Sequence, residues 1–151
     1  MAQFTARTIA NATPEQVLDV LTDPDEIRSW SPIPFEVEEF DGRRLDSGSV
    51  ARVSGSLAGR RVGFDVEVHA ADAEGLELSA TGAISLDVLY AVERVERGSE
   101  VTASIVLRGG SGLTGRLLAT ATSALLKGGA LDLATGRIAR AAEAAPRLAF
   151  G

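Results

Sequence analysis

The sequence predicts an α+β domain: a curved antiparallel sheet of seven strands wrapped on a long C-terminal helix, with two short helices after the first strand. Three observations carry this. Residues 112–145 hold no proline, are rich in Ala, Leu and Arg, and place apolar residues at helical spacing. From residue 35 to residue 107, short segments alternate apolar and polar side chains and are separated by turn residues. The turns are short, which joins neighbouring strands antiparallel, and the alternation buries one face of the sheet and solvates the other. The buried face needs a cover, and the terminal helix has the length and polarity to supply it.

Taken in order, residues 3–11 are rich in Thr, Phe and Ile and read as the first strand. Thr13-Pro14-Glu15-Gln16 opens a helix. Thr13 caps it, Pro14 takes the first helical position, and Gln16 completes a capping box. Val17, Leu18, Val20 and Leu21 give this helix its apolar side. Asp23 and Pro24 restart a second short helix, on which Ile27 and Trp30 are apolar. Ser31-Pro32-Ile33-Pro34 then forces extended chain.

Strands follow at 35–40 and 49–57, the first closed by Asp41-Gly42 and the second by an Ala58-Gly59 hairpin. The cleanest strand is 60–70: Val62, Phe64, Val66 and Val68 share one face, opposite Arg61, Asp65, Glu67 and His69. Leu76, Leu78 and Ala80 alternate next, then Ile84 through Val92, then Val101, Ala103, Ile105 and Leu107. Gly109-Gly110-Ser111-Gly112 leads into the helix. This glycine run lacks the Lys-Ser/Thr ending and the doubly wound context of a phosphate loop, so it reads as a hinge.

In the helix, Leu113, Leu117, Ala121, Ala124, Leu125 and Gly128 form the predicted apolar face, with Ser111 as N-cap and Pro146 as the stop. The face after Gly128-Gly129 (Leu131, Thr135, Ile138, Ala142) is rotated by roughly 40° from that face. Two glycines at the break predict a kink that keeps both halves on one core. A straight helix would instead bury Asp132, whose carboxylate would then need a partner.

A chain of 151 residues is expected to be one domain, 1–151. With no cysteine, disulfides and thiolate sites are excluded. A net charge of -6 argues against a nucleic-acid partner. No run reaches the roughly 18 apolar residues of a membrane span, and no signal peptide is evident, so a soluble cytoplasmic protein is expected.

The stretch from Thr13 to Pro24 (TPEQVLDVLTDP), followed by Trp30 and Pro32, is similar to the opening of the START/Bet v 1-like (SRPBCC) superfamily. The likeness is to its bacterial branch of polyketide cyclase/dehydrase-like and lipid-transport-like proteins. The small-residue-rich last helix also resembles the carbon monoxide dehydrogenase accessory-subunit type. This resemblance covers nearly the whole chain. It implies a helix-grip fold and an apolar ligand, such as a lipid, isoprenoid or polyketide-like molecule, held between sheet and C-terminal helix. Leu18 departs from the pattern, where an aromatic is usual.

The residues expected to meet such a ligand are Trp30, Phe35, Val53, Phe64, Val66, Leu78, Val88, Tyr90 and Ile105, with Leu117, Ala121 and Leu125 from the helix. Almost nothing on this face can transfer a proton at neutral pH, which favours binding over acid–base catalysis. The polar candidates are Tyr90, Arg94 and Asp132. A cyclase/aromatase or dehydratase-like enzyme would need at least two of them in one cavity. A third alternative is a protein-interaction module whose cavity is filled. Trp30 reads either as a lid over the cavity mouth or as a plug between helices and sheet. His69 falls on the outward face beside Glu67, and two ligands do not make a metal site. No cofactor and no metal are expected.

Overall fold

The computed structural model describes residues 2–144 apart from Asp41, Ala58 and Ser111. The turn roles of Asp41 and Ala58, the Ser111 cap, and the helix end at Ala145-Pro146 lie outside the described residues.

Strand β1 (Ala2–Ala10) is followed by helices α1 (Pro14–Thr22) and α2 (Pro24–Trp30). Strands β2 (Phe35–Phe40), β3 (Val50–Leu57), β4 (Arg60–Asp72), β5 (Gly75–Gly82), β6 (Ser85–Val95) and β7 (Gly98–Arg108) come next. The C-terminal helix has two α-helical halves, α3 (Gly112–Leu125) and α4 (Leu131–Ala144), joined by a π-type turn at Leu126–Ala130. All seven strands form one antiparallel sheet in the order β1-β7-β6-β5-β4-β3-β2.

Local chemistry sets the helix starts. The Thr13 hydroxyl accepts from the Gln16 backbone N–H at 3.2 Å, and the Thr13 backbone N–H donates to Gln16 Oε1 at 2.8 Å. Asp23 Oδ1 accepts from the Asp25 backbone N–H at 3.0 Å, which starts α2 directly after α1.

Pairing carries the inward residues across the sheet. Val53 lies opposite Phe64, and Val68 opposite Leu78, which in turn faces Val88. The register shifts between Val68 and Ala70, so His69 sits at a bulge and Ala71 rejoins the inner face opposite Leu76.

The predicted kink is present: Gly129 has φ +98°, which breaks the helix. After it, Leu131, Thr135, Ile138 and Ala142 are buried, packing α4 against β1, α1 and α2. The Asn11 backbone N–H donates to Glu143 Oε2 at 2.8 Å, tying α4 to the end of β1.

The predicted face of α3 needs correction. Leu113, Leu117 and Leu125 are 85%, 51% and 37% exposed, whereas Gly115, Leu118 and Thr122 face the core. Backbone packing at the helix entry is the reason. A Cβ on Gly110 would stand 1.7 Å from the Ala83 carbonyl oxygen, and one on Gly115 would stand 2.7 Å from the Gly110 carbonyl carbon. These contacts turn the glycine side of the helix inward and swing the leucine stripe out. Thr122 tolerates burial because its hydroxyl donates to the Leu118 carbonyl at 2.8 Å.

Candidate functional site

A cavity of about 160 Å³ lies between the sheet and the α2–β2 side of the molecule. Its floor is the concave face of β3 to β6, where Val53, Phe64, Val66, Leu78, Val88 and Tyr90 project. Its roof is α2 and the chain after it, with Ile27, Trp30 and Ile33. Strand β2 closes one side with Phe35, Val37 and Phe40. Phe64 and Tyr90 are sealed, but Val53, Val66, Leu78 and Val88 are only half-buried although they lie on the inner face. These four side chains border space that the protein itself does not fill.

Eight of the twelve residues expected to meet a ligand therefore border one cavity: Trp30, Phe35, Val53, Phe64, Val66, Leu78, Val88 and Tyr90. The other four do not line it. Ile105 is buried in β7 within the packed core. Leu117 and Leu125 project outward on α3, and Ala121 is half-buried on the same helix. Among the described residues the long helix contributes no wall to this cavity, contrary to the expected placement between sheet and C-terminal helix. Leu45, Ile27 and Ile33 were missed as lining residues. Leu45 reaches the site because its backbone N–H bonds the Thr22 carbonyl at 2.9 Å, a tertiary contact with no sequence signature.

Trp30 is both cavity wall and tie. Its indole N–H donates to the Val20 carbonyl at 3.1 Å, fixing α2 to α1. Its ring meets Tyr90 edge to face, with centroids 5.0 Å apart and planes at 73°.

Tyr90 is 2% exposed, and burial pushes its phenol well above the ordinary value. It therefore stays protonated and can offer a proton in a hydrogen bond, but it cannot act as a base near neutral pH. Among the described residues its hydroxyl has no hydrogen-bond partner, and no side-chain oxygen or nitrogen is both sealed and unpartnered. The hydroxyl thus keeps an opening, and Tyr90 is one of the residues that line the cavity. The other lining hydroxyl, on Ser31, is committed: it donates to the Ile33 carbonyl at 2.8 Å.

The remaining polar candidates are elsewhere. Arg94 is exposed and pairs with Glu15 at 3.6 Å. Asp132 is exposed at the start of α4, so the kink removes the reason for considering it. On the convex face His69 Nε2 lies 2.7 Å from Ser79 Oγ, which donates to Asp87 Oδ1 at 3.0 Å, and Asp87 pairs with Arg108. With serine between histidine and carboxylate, the hydroxyl proton goes to Asp87, so this is not a base-activated nucleophile. Among the described residues no His, Asp and Glu side chains cluster closely enough to hold a metal ion, and no helix is long and apolar enough to cross a membrane.

The chain matches the family described as "Polyketide cyclase / dehydrase and lipid transport" over residues 1–143. It belongs to that family. No curated protein sequence matches it. Among solved structures, TTHA0849 from Thermus thermophilus aligns with TM-score 0.71 and 16% identity, covering 95% of this chain and 99% of that one. Ara h 8.0201 aligns with TM-score 0.56 and 17% identity, covering 91% of this chain and 97% of that one. DynU16, from the dynemicin biosynthetic locus, aligns with TM-score 0.60 and 20% identity, covering 94% of this chain and 47% of that one. At these identities the likeness shows the fold alone: a seven-stranded curved sheet with a long terminal helix.

Proposed function

We propose that the protein binds a small hydrophobic molecule in the cavity between the β3–β6 floor and the α2–β2 roof, as a carrier or sensor. The observation that carries this reading is the half-burial of Val53, Val66, Leu78 and Val88 on the concave face. Apolar side chains lose stability by facing water, and a ligand that covers them recovers about 25 cal/mol per Å². Family membership supports the same class of ligand. A cyclase- or dehydratase-like activity is the second reading, favoured by Tyr90 on the cavity wall and by the family description. Tyr90 would then polarise a ligand carbonyl as a hydrogen-bond donor. That reading lacks a second proton-transfer group from the expected set, because Arg94 and Asp132 are at the surface.

Native mass spectrometry of freshly purified protein, with organic extraction of anything bound, tests the binding reading. A single apolar compound at near one-to-one stoichiometry is the expected result. A clean apo mass, together with no binding of ANS or of single-ring probes, overturns it.

A further inference from the structure

The geometry points to a compact ligand with one ring and one hydrogen-bond acceptor, the ring held between Trp30 and the sheet and the acceptor taken by the Tyr90 hydroxyl. This deepens the binding reading and rests on it. Size is the first argument. A dry cavity of about 150 Å³ takes benzene, so 160 Å³ seats one substituted ring, and a longer acyl chain would project through the open side of the cavity.

The roof is also held in place, which limits expansion. The Ser56 backbone N–H donates to the Pro34 carbonyl at 3.1 Å, fastening the roof to β3. Leu45 is fastened to Thr22, and Trp30 to Val20. At Gly55 floor and roof stand close together: a Cβ there would be in van der Waals contact with Phe64, the Pro34 carbonyl and Ile33 at 3.4 to 3.5 Å.

Chemistry is the second argument. Tyr90 is nearly fully buried, and its hydroxyl lacks a partner among the described residues. Because that hydroxyl is not sealed, a ligand that covers it without supplying an acceptor would leave it unpaired, so a ligand that supplies one gains over an equally shaped hydrocarbon. The indole N–H and the Ser31 hydroxyl are already committed, which leaves one donor and one class of ligand group: a carbonyl, ether or hydroxyl oxygen.

The chain has one tryptophan, so its indole N–H gives a single resonance at the cavity wall. Titrations followed at that resonance compare acetophenone, ethylbenzene, and the longer phenyl ketones butyrophenone and octanophenone. Acetophenone should bind about 3- to 10-fold tighter than ethylbenzene, the range of one net hydrogen bond. Tyr90→Phe should reduce that ratio to within about twofold, because it removes the donor and keeps the ring. Affinity should level off along the ketone series. Full burial of each added methylene would instead raise it about fourfold, and such a climb overturns the size limit. Equal binding of acetophenone and ethylbenzene, or a ratio that survives Tyr90→Phe, overturns the role of the hydroxyl while leaving the binding reading standing. Failure of every probe and of ANS removes both.

Discussion

The two halves of the C-terminal helix differ in how they hold to the protein. Helix α4 buries Leu131, Ala134, Thr135, Ile138, Ala139 and Ala142 against β1, α1 and α2. Helix α3 has the same length yet buries only Gly115, Leu118 and Thr122, and it carries a leucine stripe into solvent. Both are amphipathic, but only α4 buries the face that hydropathy selects. In α3 the close backbone approach at Gly110 and Gly115 decides the rotation, and side-chain hydropathy follows. The consequence for the site is direct. With α4 anchored at one end and α3 contributing no cavity wall, the cavity forms under α2 and β2 instead.

The comparison can be broken by substitution. Ile138→Asp should have the largest effect, several kcal/mol, because Ile138 is fully buried in α4 and an unpaired carboxylate would take its place. Chemical denaturation should find the variant largely unfolded. Leu118→Ala should cost about 2 kcal/mol, at the low end for a buried leucine, since α3 can settle toward the vacated space. Gly129→Ala should cost about 1 kcal/mol through its positive φ alone, because no heavy atom stands near the added Cβ. Leu113→Ser and Leu117→Ser should change stability by no more than about 0.5 kcal/mol. Thermal melts of the last three ranked in the opposite order would mean that the leucine stripe is the packed face.

A separate prediction uses the single tyrosine. Its folded-state pKa is raised, so the protonated phenol favours the fold, and this contribution is fully present below the unfolded value of about 10. It is lost as pH rises beyond that. Wild-type stability should therefore fall more steeply above that pH than that of Tyr90→Phe, and phenolate absorbance should appear together with unfolding.

Much of this was legible in the sequence for identifiable reasons. Capping at Thr13 and Asp23 uses side chains within a few residues of their targets, and strand alternation from Val62 to Val68 reports burial directly. The kink announced itself through two adjacent glycines. What was not legible depends on contacts between distant residues. The rotation of α3 is set by Gly110 resting on Ala83 and Gly115 on Gly110, and both positions could equally have been plain hinge residues. The cavity wall around Leu45 depends on a backbone bond to Thr22 that any residue could make. The floor of the site could be read because periodicity fixes which side chains share a face. The roof could not, because loops have no period.

The central claim is that the ligand space lies under α2 and β2 and not against the terminal helix. Its most direct test is the affinity of acetophenone, read at the Trp30 indole resonance, for wild type, Val88→Phe and Leu117→Phe. The account predicts that Val88→Phe, which fills the cavity, lowers affinity at least tenfold, on the order of 1.4 kcal/mol, while Leu117→Phe leaves it unchanged. Loss of binding in Leu117→Phe with retention in Val88→Phe would contradict it and place the ligand against the helix.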